Sequence, residues 1–158
     1  MPNWCSNEVE IDGTEEDIAK FVDECFTDFK TARGKMKAES VKVLDFTKVM
    51  PEPDYEQPKK DGTHNNGVQK ELHDVMPDWW NWRNNNWGTK WNLVPSKDGD
   101  LYTYNIDQSN GWLRLEFETA WSPPNGIYEA ITEKYPDLDI NWFYREDGVQ
   151  MSGWLPYD

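Results

Sequence analysis

The chain has 158 residues, 30 of them acidic and 16 basic, for a formal charge of −14, and 15% are aromatic. That length suits one compact domain whose core needs no metal or disulfide staple, and so high an aromatic content argues against disorder throughout. The charge speaks against duplex DNA, RNA and anionic lipid as non-specific partners, and no run approaches the ~20 apolar residues of a membrane span.

The first element is a strand over Asn7 to Ile11, with Val9 and Ile11 on one face and Glu8 and Glu10 on the other. Asp12 and Gly13 turn the chain, and Thr14 followed by Asp17 resembles a capping box. Ile18, Phe21, Val22, Cys25, Phe26 and Phe29 then keep helical spacing, which predicts an amphipathic helix from Glu15 to Lys30. Val41, Val43, Leu44 and Phe46 suit a short strand or a buried loop. Pro51, Pro53 and Pro58, with Gly62 and Asn65-Asn66-Gly67, mark an irregular loop. Helices are expected near Gln69 to Val75 and from Asp78 to about Asn84.

The last third is more regular. Leu101 to Ile106 and Trp112 to Thr119 alternate around Gln108-Ser109-Asn110-Gly111, the pattern of a β-hairpin. Pro123-Pro124 opens a helix through Ile127, Ala130 and Ile131 that Pro136 ends. Leu138, Ile140, Trp142 and Tyr144 alternate in a further strand, and a short one ends near Trp154. The expected fold class is α+β, a ferredoxin-like β-α-β-β-α-β sandwich over residues 1–158. A long Trp-rich insertion, residues 31–100, separates the first helix from the hairpin. Val9, Ile11, Phe21, Val22, Cys25, Leu113, Leu115, Phe117, Ile127, Ile131 and Ile140 are the expected core.

Five of the ten tryptophans lie between Trp79 and Trp91, interleaved with Arg83, Lys90 and four asparagines. Residues 79–97 hold no acid, whereas residues 8–28 hold nine against one lysine. Indoles stack on planar rings, amides bond ring edges, and Lys or Arg neutralises phosphate. Arg83, Asn86, Trp87, Lys90 and Trp91 are therefore the candidate ligand-binding residues, with a nucleotide or a short single strand as ligand. Truncation of Trp87 and Lys90 together is expected to abolish binding and leave the fold intact. The same indoles could instead pack a short helix onto the sheet. Gly88-Thr89-Lys90 is not a phosphate loop, because Arg83 stands where the pattern needs glycine and the Lys and Thr are in the wrong order.

Met-Pro-Asn-Trp-Cys-Ser-Asn at the start, Asn-Trp-Gly-Thr-Lys-Trp-Asn at 86–92 and Thr-Ala-Trp-Ser-Pro-Pro at 119–124 resemble the YubB-like family. Phe46 to Pro53, Tyr135-Pro136 and Tyr144 to Gly148 also look like its pattern. The resemblance implies a ferredoxin-like domain of phage or plasmid type and brings no established activity or catalytic residues.

Nothing else points to catalysis. Glu116 and Glu118 share a strand face, which a solvated surface explains as well as acid–base chemistry would. His64 and His73, with Cys5 and Cys25, match no zinc spacing. No enzyme, cofactor or metal is expected. The N-terminus lacks the basic region and apolar run of a signal peptide, so a cytoplasmic location with both thiols reduced is expected. The open sheet face would carry Glu8, Glu10, Glu116, Glu118 and Asp139 against Arg114, with Trp112 and Phe143 its only aromatic platforms, which disfavours RNA there. Two binding functions compete: capture of a nucleotide-like ligand by the Trp-rich segment, plausible in counter-defence, and an acidic nucleic-acid mimic that blocks a basic host protein.

Overall fold

A computed structural model describes residues 3–31, 39–55, 76–95 and 104–157. The elements in order are β1 (Trp4–Asp12), α1 (Glu15–Cys25), β2 (Phe26–Thr31), β3 (Glu39–Leu44), α2 (Phe46–Val49), α3 (Asp78–Asn86), β4 (Tyr104–Ser109), β5 (Trp112–Ala120), α4 (Asn125–Lys134), β6 (Asp139–Glu146) and β7 (Met151–Trp154). The fold is α+β. Five antiparallel strands form one sheet in the order β4-β5-β1-β6-β7, and β2 and β3 form a separate hairpin.

Alternation decides which face of the sheet is buried. Val9 lies between Leu115 and Trp142, and Ile11 between Leu113 and Ile140. These residues meet Ile18, Phe21, Val22 and Cys25 of α1 and Ile127 and Ile131 of α4 in one cluster. Every residue of the expected core is buried except Ile140, which is half-buried against it. Thr14 caps α1, its hydroxyl accepting from the Asp17 amide at 3.0 Å.

Helix α1 ends five residues earlier than its apolar spacing predicts. Phe26 is already extended, and β2 pairs with β3 from Phe26↔Leu44 to Thr31↔Glu39. Phe26 still reaches the core from a strand, meeting Phe21 edge-on at 5.4 Å. The same hydrophobic side chain serves either geometry, and cross-strand pairing wins. The departure from the α1 path thus comes at Phe26 and not at residue 31. Likewise β4 runs on through Asp107, Gln108 and Ser109, because the two residues Asn110-Gly111, with Gly111 at φ +74°, suffice for the turn. The helix expected near Gln69 to Val75, the loop from residue 56 onward, His64, His73, Lys97 and residues 101–103 lie outside the described residues.

Candidate functional site

The Trp-rich segment is first of all architecture. Trp87 is fully buried; it meets Phe46 and Trp82 edge-on, each at 5.7 Å, and its indole N–H donates to the Met50 carbonyl at 3.0 Å. Trp82 is buried as well, and Trp79 and Trp80 are half-buried. Helix α3 therefore docks by its indoles, as the packing alternative expects. Trp87 offers no face to a ligand, which corrects its place among the candidate contacts.

Arg83 is also committed. Its guanidinium forms a two-pronged pair with the Glu52 carboxylate, donates to the Lys90 carbonyl at 3.1 Å, and lies about 5 Å from the rings of both Trp79 and Trp87. Burial pushes the Glu52 carboxyl up, but hydrogen bonds from Arg83 and Tyr55 outweigh that and hold it below its ordinary value. The pair ties residues 50–55 to α3 and is structural. Asn86 turns its amide N–H back to the Trp82 carbonyl at 2.8 Å.

Of the five residues, Lys90 and Trp91 remain open together at this corner, while Asn86 lines a separate cleft. Trp91 is 40% exposed, the Lys90 ammonium sits 4.4 Å from its ring centre, and Trp4 lies tilted beside it at 5.9 Å. The three motifs of the sequence meet here. The Thr89 hydroxyl donates to the Ala120 carbonyl at 2.9 Å, and the Ser122 hydroxyl to the Gly88 carbonyl at 2.6 Å. The Trp121 amide donates to the Asn3 carbonyl at 2.8 Å. Trp121 is half-exposed and held at φ +70°, a backbone state that is costly for a bulky residue. Periodicity cannot reveal that state, so Trp4 and Trp121 had no signal as site residues beyond their place in motifs.

Behind this corner α3 and α4 meet end to end. The Trp87 carbonyl accepts from the Gly126 amide at 3.0 Å and the Ile127 amide at 3.4 Å, so one helix caps the next. The approach demands glycine: a Cβ on Gly126 would stand 1.6 Å from the Asn86 carbonyl oxygen, and Gly88, at φ +91°, abuts the Asn125 amide. A cleft of about 270 Å³ opens beside this junction, lined among others by Asn84, Asn85, Asn86, Asn125, Glu129 and Tyr157.

The uncovered face of the sheet is the other candidate. Cross-strand pairing places Glu8, Glu10, Asp12, Asp107, Glu116, Glu118 and Asp139 on it with Arg114 and Arg145. Both arginines are already paired, Arg114 with Glu116 at 2.8 Å and Arg145 with Asp147 at 3.1 Å. At one edge Phe143 meets Trp154, which is 62% exposed, with ring centres 5.2 Å apart. Among the described residues no group of three or more His, Cys, Asp or Glu could hold a metal, and no helix is long and apolar enough to cross a membrane. Cys5 and Cys25 are buried and unpaired, and burial raises both thiols, Cys5 to about 11.

Residues 100–158 match a family described as the ferredoxin-like domain in Api92-like protein. The matched segment holds β4 to β7 and α4, whereas β1, at the centre of the sheet, precedes it. Comparison with curated proteins and with solved structures gives no match.

Proposed function

We propose that this protein is a non-enzymatic binding module that presents the acidic open face of its sheet to a basic surface of a partner protein, as a nucleic-acid mimic does. One observation carries the reading: seven carboxylates share that face with two arginines, each already paired with a carboxylate. Such a face steers a cationic partner and repels nucleic acid, and Phe143 with Trp154 supplies an aromatic anchor at its edge. In this reading β1, α1, β4, β5, α4 and β6 form the ferredoxin-like β-α-β-β-α-β core, and the Trp-rich stretch is an insertion before the hairpin. The resemblance to phage and plasmid proteins makes a cytosolic host protein the target.

The test is a titration with a lysine-rich peptide, followed by amide NMR. Shifts should map to β1, β5 and β6 and fade as salt rises from 50 to 300 mM. The triple variant Glu8→Gln, Glu10→Gln, Glu116→Gln should weaken binding at least tenfold. Shifts centred elsewhere, or an unchanged affinity in the triple variant, would refute the proposal.

A second reading rests on Trp91. Its exposed ring beside Lys90 and Trp4 is a platform on which one base of a nucleotide or short single strand can stack, worth about 1–3 kcal/mol. Tryptophan fluorescence with mononucleotides and short oligonucleotides tests it. Quenching that survives Lys90→Ala with Trp91→Ala would place any ligand elsewhere.

A further inference from the structure

The cleft at the junction of α3 and α4 is rich in hydrogen-bond acceptors, and each amide orientation follows from its neighbour. Asn84 faces the Trp80 carbonyl at 2.8 Å and Asn86 the Trp82 carbonyl at 2.8 Å. A carbonyl only accepts, so both side chains turn their NH2 groups there and keep their oxygens for other partners. Asn125 faces the Glu129 carboxylate at 3.5 Å in the same way, and its Oδ1 is buried with no hydrogen-bond partner. Glu129 has no ion-pair partner among the described residues, and Tyr157, 45% exposed, lines the same cleft.

A ligand with several N–H donors and a positive charge suits this set of acceptors. We propose that the cleft is a guanidinium subsite that takes an arginine side chain of a peptide or protein. Glu129 accepts a charge-assisted hydrogen bond, the oxygens of Asn84 and Asn86 accept further N–H groups, and the Tyr157 ring stacks on the planar cation. A lysine ammonium fits less well, having three donors that radiate from a point and no plane to stack. The subsite lies on the helix side of the molecule and does not depend on the reading of the sheet face.

The test uses the full chain and side-chain amide NMR, titrated with N-acetyl-arginine amide and with its neutral isostere, N-acetyl-citrulline amide. The arginine compound should shift the Asn84, Asn86 and Asn125 amide signals, and the citrulline compound should bind at least tenfold more weakly. Free agmatine and an acetyl-Gly-Arg-Gly amide separate a small-molecule source from a peptide: tighter binding of the peptide supports the stated ligand, and a preference for agmatine overturns that assignment. Glu129→Gln should lower arginine affinity about tenfold with an unchanged thermal midpoint. The sheet-face triple variant should leave it unchanged; an equal loss there would show mere attraction to a polyanion and overturn the proposal. Equal binding of citrulline, or no shift at 50 mM arginine compound, would overturn it too.

Discussion

Truncating Trp87 to alanine tests whether the tryptophan cluster is frame or binding surface. The indole is wholly enclosed, packs edge-on against Phe46 and Trp82, and donates to the Met50 carbonyl. Aromatic-to-alanine changes in cores cost about 3–5 kcal/mol. The stranded Met50 carbonyl adds roughly 1 kcal/mol more. The sum, about 4–6 kcal/mol, is a large share of the ~5–15 kcal/mol that holds a domain together. At roughly 2–4 °C per kcal/mol for a chain of this size, the midpoint should fall on the order of 10–20 °C. Circular dichroism during heating, checked by urea unfolding, measures this. Trp91→Ala is the control, since an exposed ring should cost under about 1 kcal/mol. A Trp87→Ala protein that melts within about 3 °C of its parent would refute the packing argument and restore Trp87 as a candidate contact.

Other outcomes follow from single residues. Burial raises the Asp45 carboxyl, yet bonds from Thr47, Asn92 and Thr27 together hold it below its ordinary 3.8. Its contribution is therefore complete above about pH 4 and lost as pH falls below it; Asp45→Asn should flatten that acid limb in urea midpoints taken from pH 2 to 6. Gly126→Ala should destabilise by roughly 2 kcal/mol or more, because the clash with the Asn86 carbonyl exceeds the ~1 kcal/mol that alanine gains in a helix; a more stable variant would contradict the end-to-end junction. Arg83→Lys keeps the charge and loses the fork to Glu52, so it should cost about 1–3 kcal/mol in urea unfolding without altering any nucleotide response.

Most of the sheet and both long helices were legible because strict alternation and 3.6-residue spacing each force one face inward. Val9 and Ile11 could only face the core if Glu8 and Glu10 faced water. The end of α1 was not legible, since Phe26 and Phe29 satisfy a helix stripe and a strand equally and β2 is fixed by a partner strand whose paired residues lie further along the chain, from Thr31↔Glu39 to Phe26↔Leu44. The candidate site was legible only in part. Tryptophan density marks a place where indoles gather, but whether a ring faces core or solvent depends on Met50, Glu52 and Phe46, which are distant in sequence. Composition singles out Lys90 and Trp91, which stand together with the ring exposed, whereas the cleft of Asn125, Glu129 and Tyr157 exists only through the closeness of α3 to α4.

The central position of β1 has a consequence for how the protein is made. Trp4 pairs with Ala120 and Cys5 with Glu146, so β1 leaves the ribosome well before either of its neighbours. At roughly 5–20 residues per second, β1 waits on the order of 6–25 s with both edges open while the chain that must flank it is synthesised. Closing loops of that length also slows the folding step itself. Glu8, Glu10 and Asp12 on the nascent strand then act as gatekeepers against pairing with other chains, a role that ends when β5 and β6 arrive.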